Sequence, residues 1–352
     1  MKIFYCGIQY DLYDQRRGLS FEHENFYVSL ANMAGATTRY FPFDDILTKG
    51  RRQWNADLLA AAKDERPDLI FCFMLSDEFE PGVLRQLKAV APTLAWFSDD
   101  HWRFDNYSSL WARHFSWVAT TYSKAPGRYR RIGVDNVVRS QWAANTGLYA
   151  PTKAMPVMAQ RPDVAFVGGR TKPRDRIVRF LRKKGIEVDA YGSGWENGRI
   201  SEERMIEIFG TAKINLALNP APGFFNKNSL GRLAFRRSVD KIVFDFHPIA
   251  NMKTWLHRGI VQIKARHFEI PACGGFVITS QADDLENYFQ LGKEMVTYAS
   301  LPDLAEKIQY YLSHDSEREA IARAGYDRVI RDHTYEKRFS EIFAKIGIHD
   351  KF

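Results

Sequence analysis

Short apolar runs rich in β-branched and aromatic residues recur along this chain, spaced to leave room for one helix between neighbours. That alternation limits the fold more than any other feature. Candidate strands are "KIFYCG" (2–7), "TTRYFP" (37–42), "LIFCFML" (69–75), "TLAWFS" (93–98), "WVATTY" (117–122) and "NVVRSQW" (136–142), with helical patterns over 22–34, 54–64 and 81–90. Strands alternating with helices make a parallel sheet covered on both faces. "APTKAMPVMAQRP" (150–162) then holds three prolines and little periodicity, which marks a linker over 151–162. The pattern restarts with "DVAFVGG" (163–169), a helix at 173–184, "EVDAYGSGW" (187–195), a helix at 201–212 and "INLALN" (214–219). A helix at 265–273, a strand at 276–280 and two or three terminal helices follow. At 352 residues the chain exceeds the roughly 250 to 300 that one core usually holds. The expected architecture is α/β, with two Rossmann-like domains over 1–150 and 163–335 facing each other across a cleft. A terminal helix over 336–352 is expected to pack back on the first domain.

Net charge is +8 with a pI near 9.2, which favours an anionic partner: a phosphorylated small molecule, an acidic membrane face or nucleic acid. No apolar run approaches the length needed to span a bilayer. The start, "MKIFYCGIQYD", reads as a first strand rather than a signal peptide. Three cysteines lie far apart with neither disulfide nor zinc spacing, which fits a reducing compartment. A soluble cytoplasmic protein with no bound metal is the expectation.

Ligands on open parallel sheets bind beyond the carboxyl ends of the strands, so the loops there are the places to look for chemistry. "FVGGRTKPR" (166–174) sets Arg170, Lys172 and Arg174 at a helix N-terminus, where free N–H groups already favour anions. Arg170 and Lys172 there suit a diphosphate, although the spacing is not that of a Walker loop. "YGSGWENG" (191–198) carries Gly192 and Gly194, which permit close backbone approach to a ligand, with Trp195 as a wall. Its glycines are misspaced for a dinucleotide fingerprint, which weakens an oxidoreductase reading. "WFSDDHW" (96–102) ends a strand with Asp99, Asp100 and His101, suited to general-base work or to accepting sugar hydroxyls. "ARHFEIPACGGFVITS" (265–280) is the anomaly. It places Arg266 and Glu269 just before a Gly274-Gly275 helix stop and a buried strand. An unpaired charge there costs several kcal/mol, so the two either neutralise each other or hold a ligand.

The stretch "QIKARHFEIPACGGFVITS", with "LENYFQLGKEMVTYASLPDLAEKIQYYL" and "AGYDRVIRDHTYEKRF" after it, resembles the CgeB-like, spore-maturation-type glycosyltransferases, relatives of the retaining two-domain (GT-B) enzymes. The resemblance is strongest over about 262–340. It implies a metal-independent, retaining transfer from a nucleotide sugar, UDP-linked by the commonest precedent, and no tightly bound cofactor. Glu269 then accepts the ribose hydroxyls, while Arg170 and Lys172 hold the diphosphate within reach of Lys264 and Arg266. Many relatives carry a second glutamate where this chain has Val261. The aspartate pair separated by one residue, which binds metal in the other main glycosyltransferase architecture, is absent from the sequence. Should the reaction invert, Asp100 is the expected base. A long aromatic and cationic insertion over 224–261 is expected to serve as donor-site lid or acceptor contact. The acceptor is left open among glycan, protein and DNA, with peripheral contact to anionic surfaces. The rival readings are a transferase acting on a modified base in phage-type DNA and a non-catalytic nucleotide-sugar-binding or scaffold protein.

Overall fold

The computed structural model describes residues 1–151, 161–220 and 230–348. In chain order the strands are β1 (Lys2–Gly7), β2 (Thr37–Pro42), β3 (Leu69–Phe73), β4 (Thr93–Phe97), β5 (Trp117–Thr120), β6 (Val137–Arg139) and β7 (Val164–Val167). They continue with β8 (Asp189–Tyr191), β9 (Ile214–Ala217), β10 (Phe235–Ser238), β11 (Lys241–Phe244), β12 (Val277–Ser280) and β13 (Val296–Tyr298). Two compact units result. Unit 1 comprises Met1–Gln141, Phe224–Arg258 and Tyr335–Phe352, and unit 2 comprises Trp142–Gly223 and Gly259–Thr334.

Unit 1 is built on a parallel sheet in the order β2-β1-β3-β4-β5-β6. Its inner strands β3 and β4 are buried at every residue, as continuous apolar runs in a doubly covered sheet must be. One face packs on an aromatic cluster centred on Phe26, whose ring lies 4.7 Å from Phe73 and 5.0 Å from Trp96. Phe26 comes from the stretch expected as a helix over 22–34. There the backbone forms a π-helical turn, His23–Tyr27, followed by a short α turn, Val28–Ala31. The wide turn lets Phe26 face the core while adjacent Tyr27 stacks on Tyr40 at 4.4 Å. The last helix, Tyr335–Lys345, closes the same core: Tyr335 and Phe339 stand one turn apart, 4.9 Å and 5.6 Å from Phe26.

The insertion departs from its expected place. The sequence runs 224–261 inside the second α/β half, yet residues 230–258 belong to unit 1. They form the antiparallel β10–β11 hairpin and a helix, Pro248–His257. Polar contacts from the sheet's loops hold them. Ser76 donates to the Arg237 carbonyl (2.9 Å) and accepts from the Val239 N–H (3.0 Å), Arg236 pairs with Asp77 (2.9 Å), and Asn106 donates to Asn251 (2.8 Å). Residues 142–150 likewise group with unit 2 rather than with the first half. Of the expected linker, 152–160 lie outside the described residues, as do 221–229, which include the first residues of the insertion, and 349–352 at the end.

Unit 2 carries a parallel sheet in the order β13-β12-β9-β7-β8. Three of its helices start where hydroxyl side chains accept a free first-turn N–H: Thr171 from Arg174, Ser201 from Arg204 and Ser300 from Asp303. Val164, Phe166, Val178, Leu181, Ile214 and Ile278 fill its centre. Among the described residues no helix is long and apolar enough to cross a membrane.

Phe339→Ala removes a fully buried ring that touches Phe26 and Phe71. It should lower unfolding free energy by about 3 to 5 kcal/mol in urea titrations, whereas exposed Glu336→Ala should stay within about 0.5 kcal/mol.

Candidate functional site

In unit 2 the loop after β7 and the loop after β8 are sewn together. Gly168 donates its N–H to the Tyr191 carbonyl (2.8 Å), and Trp195 Nε1 donates to the Gly168 carbonyl (2.8 Å). Gly192 has φ +125°, and a β-carbon there would lie 2.6 Å from the Gly168 oxygen, so the close approach requires glycine. "YGSGW" thus supports the neighbouring loop: Trp195 is buried, its ring edge-on to Phe166 at 6.1 Å. Arg170 is engaged in the same support, pairing with Asp175 (2.7 Å), donating to the Gly194 carbonyl (3.2 Å) and lying 5.3 Å over Trp195. Lys172, the first residue of the helix Lys172–Lys183, is exposed.

The cation that turns inward is Arg174. Its guanidinium donates to the carbonyls of Gly169 (2.9 Å) and Leu218 (3.2 Å), and no carboxylate pairs with it among the described residues. Burial, and then the cation of Arg266, hold its pKa below the ordinary arginine value. Arg174 lines a narrow crevice of about 50 Å³ at the carboxyl ends of β7 and β9, with Asn219, Lys264, Arg266 and His267. The short helix Arg266–Ala272 supplies the far wall. Its Arg266 pairs with Glu269 one turn on, rests 5.1 Å over the Phe209 ring and approaches Met205 Sδ at 3.0 Å. Burial alone would lower the Arg266 pKa, but the Glu269 carboxylate and the Tyr149 hydroxyl raise it. Glu269 has no solvent exposure, and its second oxygen, Oε1, has no hydrogen-bond partner among the described residues. That unsatisfied acceptor is suited to a ligand hydroxyl.

His267 is pushed down to about 4 by burial, so its ring is neutral near pH 7. His267 Nε2 lies 2.9 Å from the Thr279 hydroxyl, and Nδ1 meets the Lys264 backbone at both its carbonyl (2.9 Å) and its N–H (3.1 Å). The imidazole therefore fixes the turn that presents Lys264. Gly274 takes φ +77° as the helix stop, while a β-carbon on Gly275 would lie 2.1 Å from the Phe209 carbonyl oxygen. Both glycines serve packing and lie off the crevice. Of the nucleotide-site residues expected from sequence, the structure brings together Lys264, Arg266 and Glu269. Arg174 takes the place expected for Arg170 and Lys172. The available signal was its position in the first helical turn, three residues after the Thr171 cap, where a long side chain can reach back over the loop.

Unit 1 holds a second cavity, of about 320 Å³, beyond the carboxyl ends of β1, β3 and β4, lined there by Ile8, Leu75 and Asp99. Of the expected trio only Asp99 lines it. Asp100 is fully buried and accepts from the Tyr129 hydroxyl (2.9 Å), with burial pushing its pKa up to about 6 against hydrogen bonds from Ser108, Thr120 and Tyr129. His101 is also buried, beside Tyr122 at 6.2 Å. The carboxylate that sequence reasoning missed is Glu22. It lines the cavity and is raised to about 7 by burial, with Asp11 and Asp99 adding to the rise. A carboxyl titrating near neutrality can both accept and return a proton. Among the described residues no group of three His, Cys, Asp or Glu side chains is placed to hold a metal ion.

A family model described as glycosyl transferase-like matches residues 240–344. No curated protein sequence matches the chain. Solved structures match it along nearly its whole length. HepE of Anabaena, in complex with UDP and glucose, is 12% identical with a TM-score of 0.60, covering 99% of each chain. A glycosyltransferase of Rickettsia africae is 11% identical with a TM-score of 0.61, covering 99% of this chain and 98% of that one. Sucrose-phosphate synthase from Thermosynechococcus elongatus is 14% identical with a TM-score of 0.58, covering 98% and 97%. At such identities the likeness is one of fold. The chain shares the GT-B fold of these structures, and its residues 240–344 are similar to the glycosyl transferase-like family.

Buried carboxyls make stability pH-dependent. Glu78 has no exposure, its Oε2 has no hydrogen-bond partner among the described residues, and burial raises its pKa to about 7. A carboxyl raised on folding stabilises below its unfolded pKa, and that contribution is lost as pH rises through the folded value. Thermal melts of the native chain should therefore fall between pH 5 and 8, and Glu78→Gln should remove on the order of 2 kcal/mol of that dependence.

Proposed function

We propose that this chain is a metal-independent glycosyltransferase of the CgeB-like kind, which takes a sugar from a UDP-sugar bound by unit 2 and moves it to an acceptor bound by unit 1. One observation carries the reading: Arg174, Lys264 and Arg266 converge at the carboxyl ends of β7 and β9, beside a buried glutamate with a free acceptor oxygen. Three cations and one carboxylate suit a diphosphate joined to a ribose. The guanidiniums and the ammonium stabilise charge developing on the leaving diphosphate, and the Glu269 oxygen accepts a ribose hydroxyl. Arg174 and Lys264 carry the electrostatic role otherwise given to a divalent ion. HepE, which shares the fold, was solved with UDP-glucose, and this supports uridine as the base.

Transfer with retention belongs to the same proposal. The leaving phosphate takes the acceptor's proton, so no strong enzymic base is needed. Asp100, the base an inverting reaction would have recruited, is occupied by Tyr129. Glu22 and Asp99 orient the acceptor hydroxyl. A cytoplasmic setting, where nucleotide sugars are available, fits three free and buried cysteines, Cys6, Cys72 and Cys273.

Thermal-shift titrations with UDP, GDP, CDP, ADP and dTDP test the donor site. UDP should raise the midpoint most. Arg174→Ala should weaken it by one to two decades, the equivalent of about 1.5 to 3 kcal/mol for a lost charged hydrogen bond. Arg174→Lys, which keeps the charge, should recover part of the loss, and exposed Arg170→Ala should change it less than Arg174→Ala. A UDP response insensitive to Arg174 and to Glu269→Gln would remove this site from the reading. Once a substrate pair is in hand, NMR of the first-formed anomer should show the donor's configuration kept.

A further inference from the structure

The unit 1 cavity has a charge pattern that the transfer reaction does not require. The guanidiniums of Arg103, Arg232 and Arg258 surround one indole, Trp102, at 5.8, 5.0 and 5.7 Å from its centre. Arg103 and Arg232 line the cavity together with Arg237. Arg103 donates to the Leu75 carbonyl (2.8 Å) and Arg237 to the Val239 carbonyl (2.8 Å), and none of these three forms an ion pair among the described residues. The fourth lining arginine, Arg236, is engaged with Asp77 at 2.9 Å.

The lining carboxylates do not balance this charge. Asp11 is paired with Arg17 at 2.7 Å, and Glu22 is held half-protonated near neutrality, leaving Asp99. Partial burial, then Arg258 and Arg103, lower the pKa of Arg232, so these like charges oppose one another at the cavity. An anion relieves that repulsion, and arginine forks suit phosphoryl oxygens. Thr254 adds a buried hydroxyl that lines the same cavity and has no hydrogen-bond partner among the described residues. Three residues here, Leu12, Tyr13 and Val239, hold positive φ of 57°, 64° and 51°. For a β-branched valine this is an outlier, a form of strain that collects at ligand sites.

We propose that this cavity binds a small phosphorylated molecule, with its phosphoryl group between Arg103, Arg232 and Arg237, and that the sugar acceptor is therefore a phosphate-bearing compound. The inserted segment supplies Arg232 and Arg237, so it acts as the reader of acceptor charge. That the ligand is an acceptor rests on the glycosyltransferase reading; that the cavity takes a phosphate does not. A cavity of about 320 Å³ matches a monophosphorylated metabolite rather than an extended polyanion, which would need a basic stripe along a surface.

The test is thermal-shift and calorimetric titration of the full chain at constant ionic strength, with inorganic phosphate, glucose 6-phosphate, glucose, a single-stranded DNA oligonucleotide and UDP. Phosphate and glucose 6-phosphate should stabilise the chain, and glucose should not. Arg232→Ala should cut glucose 6-phosphate affinity about tenfold or more and leave UDP binding unchanged. Arg174→Ala should do the reverse. Equal binding of glucose and glucose 6-phosphate overturns the proposal. So does silence to both phosphates while UDP still binds, or tight salt-sensitive binding of the oligonucleotide alone. Phosphate binding that depends on Arg232 in a chain that ignores UDP sustains this site and rejects the donor reading instead.

Discussion

Glu269 is a carboxylate with no exposure, tolerable because Arg266 stands one helical turn before it. Much of unit 2 around the crevice follows from that pair. Arg266 is also held by Tyr149 and laid over Phe209, so the seven-residue helix has one position available to it. Pro271 shortens the helix, Gly274 turns it, and Gly275 passes so close to the Phe209 carbonyl that a side chain would not fit. Lys264 is presented just ahead of the helix by a neutral histidine bonded to Thr279 of β12. Removing Arg266 strands Glu269 in the interior, a cost of about 3 to 5 kcal/mol.

The two units handle buried charge in opposite ways. In unit 2 the crevice gathers three cations, of which Arg174 is held by backbone carbonyls and Arg266 by the Glu269 carboxylate. In unit 1 burial drives carboxyls toward neutrality: Glu22 and Glu78 to about 7 and Asp100 to about 6. The arginines of that unit meanwhile surround Trp102. Each arrangement is electrostatically incomplete in the same sense, with positive charge in excess over ionised carboxylate. The chain's net charge of +8 thus has local expression in two clusters of cations.

The strands show where local reading succeeds. β1 and β2 occupy the segments 2–7 and 37–42 that alternation predicts, and the β-branched runs at 69–75 and 93–98 lose only their last residues. Such runs can be read because a strand buried on both faces demands consecutive apolar side chains. The β10–β11 hairpin could not be read that way, since its "FRRS" and "KIVF" are largely exposed and carry little burial pattern. The π turn at His23–Tyr27 was hidden for a related reason, because an apolar stripe of nearly helical period does not reveal one extra residue in a turn.

The sequence by itself determined two α/β halves, the glycine stop at Gly274, and a charge pair one turn apart at Arg266 and Glu269. These depend on backbone hydrogen bonding and helical period, which act over a few residues. Only the tertiary structure decided that Arg174, rather than Arg170, faces the crevice. Arg170 finds Asp175 and the Gly194 carbonyl, whereas Arg174 finds the carbonyls of Gly169 and Leu218, the latter 44 residues away. It likewise decided that Asp100 lies sealed beneath Tyr129 while Glu22 lines a cavity, and that residues 230–258 complete unit 1 through Ser76 and Arg237, 161 residues apart. A side chain's direction is set by neighbours that the chain brings close only after folding, and spacing along the sequence carries no record of them.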